Sequence, residues 1–243
     1  MLTVRSILCP VDFSEQSRQA LLWASAIAQY RGGELTVLSV IEPLLAEAAG
    51  IRLGVDLLRS EAEPALRQFV EVTLPEGARQ ASRVRMEVTV GDPSDAILQT
   101  GQTLNADLIV MGTHGLGGFR KLLLGSTTER VLRRADRPVL SVPAGADGAP
   151  AADRPGVQIR KILLATDFRE SATAATNWAG DLASEIGVPL VLPHVVQPGF
   201  VPRGERRRGF EYWAANQCRH AHFKNTIFRD TPDPIVHDKF ETD

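Results

Sequence analysis

The first 143 residues alternate between short apolar runs and longer segments with helical spacing, and this alternation limits the possible folds most strongly. Apolar and β-branched residues predict five strands, at 5–13, 34–41, 84–90, 106–111 and 137–142. Apolar residues at helical spacing predict helices at 15–30, within 43–81, at 93–104 and at 127–134. Strands that alternate with helices form parallel sheets covered by helices on both faces. We therefore expect an open five-stranded α/β sheet with the strand order 3-2-1-4-5.

Local signals predict where these helices begin and end. Ser14 is the expected N-cap of the first helix, and Asp92, which a proline follows, is the expected N-cap of the third. Within 43–81 we expect one main helix, in which Pro64 lies near the first turn or introduces a kink. The sequence Pro75-Glu76-Gly77 is expected to break that segment.

A glycine-rich stretch joins the fourth predicted strand to the last helix. It has the pattern Gly112-x2-Gly115-x9-Gly125-Ser126. Glycine lets the backbone approach a ligand closely, and the free N–H groups and the dipole at a helix N-terminus favour an anion. Residues 126–129, Ser-Thr-Thr-Glu, fit a capping box with Ser126 as the N-cap. The sequence therefore predicts that this helix starts where a phosphate group would bind.

Three polar side chains within this stretch are further candidates for the site. Arg120 and Lys121 either neutralise a triphosphate or are solvated loop charges. His114 stands before a glycine and is either a ligand to phosphate or metal or an ordinary loop histidine. The sequence leaves both alternatives open.

The predicted strand order brings the glycine stretch next to the end of the first strand. In such sheets the ligand crevice lies beyond the carboxyl ends of the strands, where the connections reverse direction. Asp12 ends the first strand and Gly112 ends the fourth, so both are expected to face one crevice. Asp12 would accept hydrogen bonds from ribose hydroxyls or approach a metal. The alternative is that Asp12 caps the helix that begins near Glu15.

Other glycine and nucleophile motifs do not fit this sequence. The glycines are not in the spacing of a dinucleotide fingerprint, and neither a common P-loop nor a Gly-x-Ser-x-Gly elbow is present. No catalytic base is identified, so we predict no catalytic residues and at most slow nucleotide hydrolysis. A nucleotide-responsive binding protein fits the sequence better than an enzyme with rapid turnover.

The opening segment recurs later in the chain. Residues 5–43 align without gaps to 160–198 at an offset of 155, with 14 of 39 positions identical. The matches include Asp12 with Asp167, and Trp23 with Trp178. We therefore expect a duplicated domain. The expected organisation is a complete nucleotide-binding domain at 1–144, a linker at 145–158, a partial second repeat (β-α-β) at 159–198 and a divergent tail at 199–243.

The tail departs from the first domain in composition. It has no leucine, holds seven of the fourteen aromatic residues and has no second glycine motif. We expect it to lack strands three to five, so that a complete second nucleotide site is not expected. The tail covers the shortened sheet, packs on the first domain or another chain, or is poorly ordered. A truncated or shifted reading frame would also produce such a change in composition.

Composition gives the remaining expectations. The net charge of −2 gives no reason to expect nucleic acid as a partner, and no apolar stretch approaches the length that spans a bilayer. The two cysteines, Cys9 and Cys218, fit a reducing compartment, and no signal peptide is recognised. Cys218, His220 and His222 resemble a metal cluster only loosely, so no metal site is predicted. We expect a cytoplasmic protein.

Two motifs give the chain a resemblance to a known family. Residues 10–14, Pro-Val-Asp-Phe-Ser, and the glycine pattern that begins at Gly112 resemble those of universal stress proteins of the tandem type. The resemblance covers about 1–144 fully and 159–198 partially. The glycine pattern is the signature of the ATP-binding branch of that family.

The resemblance implies a stress-response protein that binds ATP or another adenine nucleotide, with Mg²⁺ or Mn²⁺. It implies that Asp12 holds the ribose, that the Val40 backbone contacts adenine and that the glycine pattern with Thr127 surrounds the phosphates. It also implies a homodimer through strand five, Val139–Val142. The alternatives are a slow nucleotide hydrolase and a scaffold that recruits partners. The complete set of candidate nucleotide-binding residues is Pro10, Val11, Asp12, Val40, Met111, Gly112, His114, Gly115, Arg120, Gly125, Ser126 and Thr127.

Overall fold

A computed structural model describes residues 4–42, 55–113, 125–143, 159–166, 170–192, 194–195, 226–229 and 236–238. The chain forms two compact units, and the boundary between them follows residue 158.

The first unit contains the predicted α/β sheet. Its strands are β1 (Ser6–Val11), β2 (Glu34–Ile41), β3 (Arg85–Val90), β4 (Leu108–Gly112) and β5 (Val139–Val142). Its helices are α1 (Glu15–Arg31), α2 (Val55–Thr73), α3 (Glu76–Ala81), α4 (Pro93–Thr103) and α5 (Ser126–Arg134). All neighbouring strands are parallel and lie in the order β3-β2-β1-β4-β5. The predicted fold class and strand order are confirmed.

Alternate residues of the central strand β1 enter two separate cores. Ile7 and Cys9 join a cluster that includes side chains of α1 and α2, such as Phe69. Leu8 points to the opposite face, where Ile97 of α4 and Val131 of α5 pack. Helices therefore cover both faces of the sheet, which explains why the strands are apolar on both sides.

A carboxylate joins the start of β1 to the segment that leads into β4. Asp107 Oδ2 accepts hydrogen bonds from the backbone N–H groups of Arg5, at 2.8 Å, and Ser6, at 2.9 Å. These residues are separated by 102 and 101 positions in the sequence. The contact therefore connects the two central strands at their amino-terminal ends.

The predicted caps of α1 and α4 are confirmed. Ser14 Oγ accepts from the Ser17 N–H at 3.1 Å, and Asp92 Oδ1 accepts from the N–H groups of Ser94, at 2.9 Å, and Asp95, at 3.1 Å. Each cap satisfies a backbone donor that the first helical turn leaves unpaired.

The Asp92 cap gives a testable pH dependence. Hydrogen bonds from the Ser94 hydroxyl and the Asp95 N–H lower the pKa of Asp92 from its usual value of 3.8. Because the pKa is lower in the folded state, the ionised carboxylate stabilises the fold at pH values above its usual pKa. This stabilisation is lost as the pH falls through the folded-state pKa. We expect Asp92→Asn to lower the thermal midpoint most at pH values well above 3.8 and progressively less as the pH falls below it. Melting curves across this range test it, and a difference independent of pH would contradict it.

The segment 43–81 contains the predicted main helix and one further element. The main helix is α2, and the short helix α3, which was not predicted, follows it. Pro64 is the tenth residue of α2, so the expected position near the first turn was wrong. Pro75 is the N-cap of α3, and its carbonyl accepts from the Ala78 N–H at 2.9 Å. The predicted break is therefore also the start of a new helix.

The second unit begins with a strand, a helix and a strand. These are β6 (Ile162–Leu163), α6 (Thr173–Ile186), preceded by a 3₁₀ turn at Glu170–Ala172, and β7 (Leu190–Val191). Ile162 pairs with Leu190, and Ile7 pairs with Leu35 in the same register 155 residues earlier. The backbone pairing thus repeats that of β1 and β2.

Burial differs between equivalent positions of the two units. Leu8 is fully buried, whereas its counterpart Leu163 is 66% exposed. In the first unit the face around Leu8 is covered by α4 and α5. The described part of the second unit has one helix, α6, and it packs on the other face of β6 and β7.

Three more short strands follow β7. They are β8 (His194–Val195), which lies within the predicted partial repeat, and β9 (Thr226–Arg229) and β10 (Val236–Asp238), which lie in the tail and were not predicted. The strand β9 is parallel to β8, and β10 is antiparallel to β9. These three strands form a sheet separate from that of β6 and β7, so the expectation that the repeat lacks strands three to five stays a prediction. Such pairing is made by backbone groups and does not need the apolar alternation that the tail lacks.

Candidate functional site

The candidate site lies where β1 and β4 end side by side. The chain connects outward from β1 to β2 and β3 on one side, and β4 and β5 lie on the other. In the described sheet, β1 and β4 pair at Ile7 with Leu108 and at Leu8 with Ile109, although β1 continues to Val11 and β4 to Gly112. The two strands are therefore adjacent but unpaired over their last three residues.

Pro10 explains why this pairing stops. The Arg5 carbonyl accepts from Glu34 next to β2, and the Ser6 carbonyl accepts from Asp107 next to β4. Backbone groups of successive strand residues point to opposite sides, so Pro10 faces β4 as Ser6 and Leu8 do. Proline has no N–H group, so the ladder to β4 loses a donor at this position. Pro10 is one of the candidate nucleotide-binding residues, and its effect on strand pairing was not predicted from the sequence.

Asp12 follows the end of β1 and is half-buried. Its Oδ1 accepts hydrogen bonds from the N–H of Ser14, at 3.2 Å, and from the Ser14 hydroxyl, at 2.6 Å. Ser14, and not Asp12, caps α1. The alternative in which Asp12 itself caps this helix was therefore wrong, and the carboxylate instead orients the serine that does.

Phe13 has a strained backbone next to Asp12. Its φ angle of 64° lies in the left-handed region, which is a clear outlier for a bulky residue. Its ring packs edge-on against Phe69 of α2, with centroids 5.4 Å apart, and the Arg18 guanidinium lies 5.1 Å from the same Phe69 ring. These contacts hold the turn that follows Asp12. This strain was not predicted from the sequence, because it depends on a contact between distant segments.

Gly112 ends β4 directly beneath the first turn of α1. A Cβ atom at this position would lie 2.9 Å from the backbone carbonyl carbon of Gln16. Only glycine therefore allows the end of β4 and the start of α1 to approach this closely. The neighbouring Met111 is buried in the core cluster on the α4 and α5 face, and Val40 of β2 packs against the same cluster.

Two hydrogen bonds bring the ends of the glycine stretch together. The Gly125 N–H donates to the Thr113 carbonyl at 2.6 Å, and Thr128 Oγ1 donates to the Gly112 carbonyl at 2.9 Å. Thr113 is itself tied to β5 through its N–H, which donates to the Val142 carbonyl at 3.1 Å. The first turn of α5 is thereby attached to the end of β4.

The N-cap of α5 is Gly125, so the predicted cap at Ser126 was wrong. Ser126 and Thr127 are the first two helical residues, and the N-cap glycine has no side chain with which to cap the helix. The Glu129 carboxylate, which the predicted capping box requires, instead accepts from Arg133 at 2.8 Å. The first-turn N–H groups, which helices leave without intrahelical partners, therefore receive no bond from a side chain of the N-cap residue.

Nine of the twelve candidate residues lie among the described residues: Pro10, Val11, Asp12, Val40, Met111, Gly112, Gly125, Ser126 and Thr127. The other three, His114, Gly115 and Arg120, lie outside them. The described residues contain no group of three or more His, Cys, Asp or Glu side chains that could hold a metal ion. Nor does any described helix have the length and apolar character needed to cross a membrane.

Comparison with known proteins gives matches to one family. A family model described as the universal stress protein family matches residues 3–143. A universal stress protein from Thermus aquaticus is 34% identical over 138 residues, which are 57% of this chain and 98% of that protein. The crystal structure of a universal stress protein from Archaeoglobus fulgidus has a TM-score of 0.66 at 25% identity, covering 96% of this chain and 80% of the other. A universal stress protein crystallised with cAMP is 26% identical, with a TM-score of 0.41, covering 58% of this chain and 98% of the other.

Proposed function

The chain belongs to the universal stress protein family, and from this premise we propose that its first unit binds an adenine nucleotide, with ATP as the specific ligand. The observation that supports this most directly is that β1 and β4 end side by side and unpaired, with Asp12 following β1 and the start of α5 attached to the end of β4. One side offers a carboxylate acceptor, and the other offers backbone N–H donors. A nucleotide requires both, for its ribose and for its phosphates.

Each part of the ligand has proposed contacts. Asp12 accepts from the ribose hydroxyls, and the Val40 backbone contacts adenine. The N–H groups of Ser126 and Thr127, with the Ser126 hydroxyl, receive phosphate oxygens at the positive end of the α5 dipole. His114, Gly115 and Arg120 belong to the proposed phosphate region through the family motif. We assign Mg²⁺ or Mn²⁺ to the phosphate oxygens of the nucleotide.

The proposed activity is binding and not rapid turnover. No side chain is assigned as a catalytic base, so we expect any hydrolysis of ATP to be slower than about 1 s⁻¹, the lower end of the usual enzyme range. In this proposal the protein is a cytoplasmic stress-response regulator or protective factor that responds to nucleotide binding. A second copy would pair along β5, which is an edge strand of the described sheet.

Isothermal titration of the full chain with ATP and Mg²⁺ tests the proposal. We expect Asp12→Ala to weaken ATP binding by about 10- to 100-fold, because a hydrogen bond to a charged group contributes about 1.5–3 kcal/mol. Asp136→Ala is the matched control. This exposed carboxylate precedes β5 and therefore lies at the amino-terminal ends of the strands, whereas the candidate site lies at their carboxyl ends. Wild-type protein that does not bind ATP, or an Asp12→Ala variant with unchanged affinity, would contradict the proposal.

A further inference from the structure

Thr128 is the third residue of α5 and is only 4% exposed. It does not belong to the set of candidate nucleotide-binding residues. Its hydroxyl donates to the Gly112 carbonyl at 2.9 Å, across 16 positions of sequence. We propose that Thr128 is a positioning residue that prepares the start of α5 for the nucleotide phosphates, an inference that rests on the proposed function.

Thr128 acts first on the carbonyl groups at the end of β4. The proposed phosphate region lies beside the carbonyls of Gly112 and Thr113, whose oxygens would repel an anion. Both are engaged, the first by the Thr128 hydroxyl and the second by the Gly125 N–H. With these acceptors occupied, the phosphates meet mainly N–H groups and the positive end of the helix dipole. Loss of the Thr128 hydroxyl leaves the Gly112 oxygen without this donor.

The direction of α5 also depends on Thr128. The N-cap Gly125 has no side chain, and among the described residues the first turn is attached to the end of β4 through the Gly125 N–H and the Thr128 hydroxyl. The strand residue that accepts from Thr128 is also the glycine against which α1 packs. Thr128 therefore connects the phosphate-binding turn to the strand end that lies beside the Asp12 turn. A small rotation of α5 would move the donors of Ser126 and Thr127 away from the phosphates.

Removal of the Thr128 hydroxyl is therefore expected to weaken the binding of a ligand only when the ligand carries phosphates. Adenosine has the base and the ribose but no phosphate, so its binding does not use the start of α5. Replacement of Thr128 by valine removes the hydroxyl while nearly preserving shape and volume. Replacement by serine keeps the hydroxyl and removes one methyl group. The ratio of ATP affinity to adenosine affinity therefore separates positioning of the phosphate site from a general loss of stability.

The experiment measures dissociation constants of the full chain for ATP with Mg²⁺ and for adenosine by isothermal titration. For Thr128→Val we expect ATP affinity to fall by about tenfold, consistent with the loss of roughly one hydrogen bond, and adenosine affinity to change by less than about twofold. Thr128→Ser is expected to retain the wild-type ratio. The matched control is Thr103→Val, because Thr103 is also a helical threonine whose hydroxyl donates to a backbone carbonyl, that of Gln99, at 3.0 Å.

Three results would overturn the inference. If the ATP affinity of Thr128→Val is unchanged, the hydroxyl does not act on the site. If its affinities for ATP and for adenosine fall by the same factor, the role of Thr128 is structural only. Wild-type protein that binds neither ligand ends the proposed function and this inference together, whereas the first two results leave the proposed function intact. If Thr128→Val does not fold, Thr128→Cys replaces it, because the thiol is of similar size and only a weak donor. The same ratio of ATP affinity to adenosine affinity is then measured for Thr128→Cys.

Discussion

Gly112→Ala is expected to destabilise the first unit by about 3 kcal/mol and to abolish detectable nucleotide binding. The added Cβ would lie 2.9 Å from the Gln16 carbonyl carbon and 3.0 Å from its oxygen. Both are backbone atoms of α1, so no side-chain rotation can relieve the clash. The helix must move away from β4, and this movement displaces the turn that carries Asp12.

Gly101→Ala is the matched control for this variant. A Cβ at Gly101 would meet its nearest atom, Cδ1 of Ile109, at 3.5 Å, which is ordinary contact. Because alanine is the better helix former by about 0.5–1 kcal/mol, we expect Gly101→Ala to be neutral or slightly stabilising. Urea unfolding of the full chain measures both effects, and hydrogen exchange in β4 assigns them to the first unit. If Gly112→Ala unfolds at the wild-type urea concentration, the close approach of α1 and β4 is disproved.

Arg137→Met is expected to cost about 2–3 kcal/mol of unfolding free energy, because hydrogen bonds from a charged group contribute more than neutral ones. One terminal nitrogen, Nη1, of Arg137 donates to the carbonyls of Gly101, at 2.6 Å, and Ala106, at 2.9 Å. These carbonyls belong to the end of α4 and the segment before β4. The arginine side chain is only 15% exposed, so water compensates little for the loss of these bonds.

Arg133→Met provides the control for Arg137→Met. Arg133 and Glu129 form an ion pair one turn apart on α5, with both side chains exposed to solvent. Such pairs contribute about 0.3–0.5 kcal/mol. Denaturant unfolding of both variants should therefore show a clear difference. Equal, small losses would mean that the bonds from Arg137 to the backbone do not contribute to the stability of the fold.

The strand order was predictable because it follows from period and topology, and the same reasoning predicts where the candidate site lies. Alternating strands and helices specify a parallel sheet, and such a sheet places ligands where the connections reverse. Asp12 and Gly112 each follow from their position at the end of an apolar run. The caps at Ser14 and Asp92 were also predictable, because these residues satisfy helix donors through bonds that span only two or three residues.

Other features depend on contacts between distant segments and were not predictable. The residues 126–129 fit a capping box, but Gly125 is the cap, because its backbone is extended while its carbonyl accepts the first helical hydrogen bond, from the Glu129 N–H at 2.9 Å. Neither the strained φ angle of Phe13 nor the attachment of α5 by Thr128 has a local sequence signal. The pairing of β9 with β8 is a further example, because a backbone ladder forms without apolar alternation.

The Asp107 contact with Arg5 and Ser6 has a consequence for folding during synthesis. It joins residues 102 and 101 positions apart, so β1 is made long before the strand that completes its pairing. At about 5–20 residues per second, a ribosome needs roughly 5–20 s to cover that distance. During this interval β1 and β2 can form with α1, while the β4 side of β1 stays open. If the proposed nucleotide site is correct, the ligand stabilises only the completed sheet and cannot assist the folding of its first half.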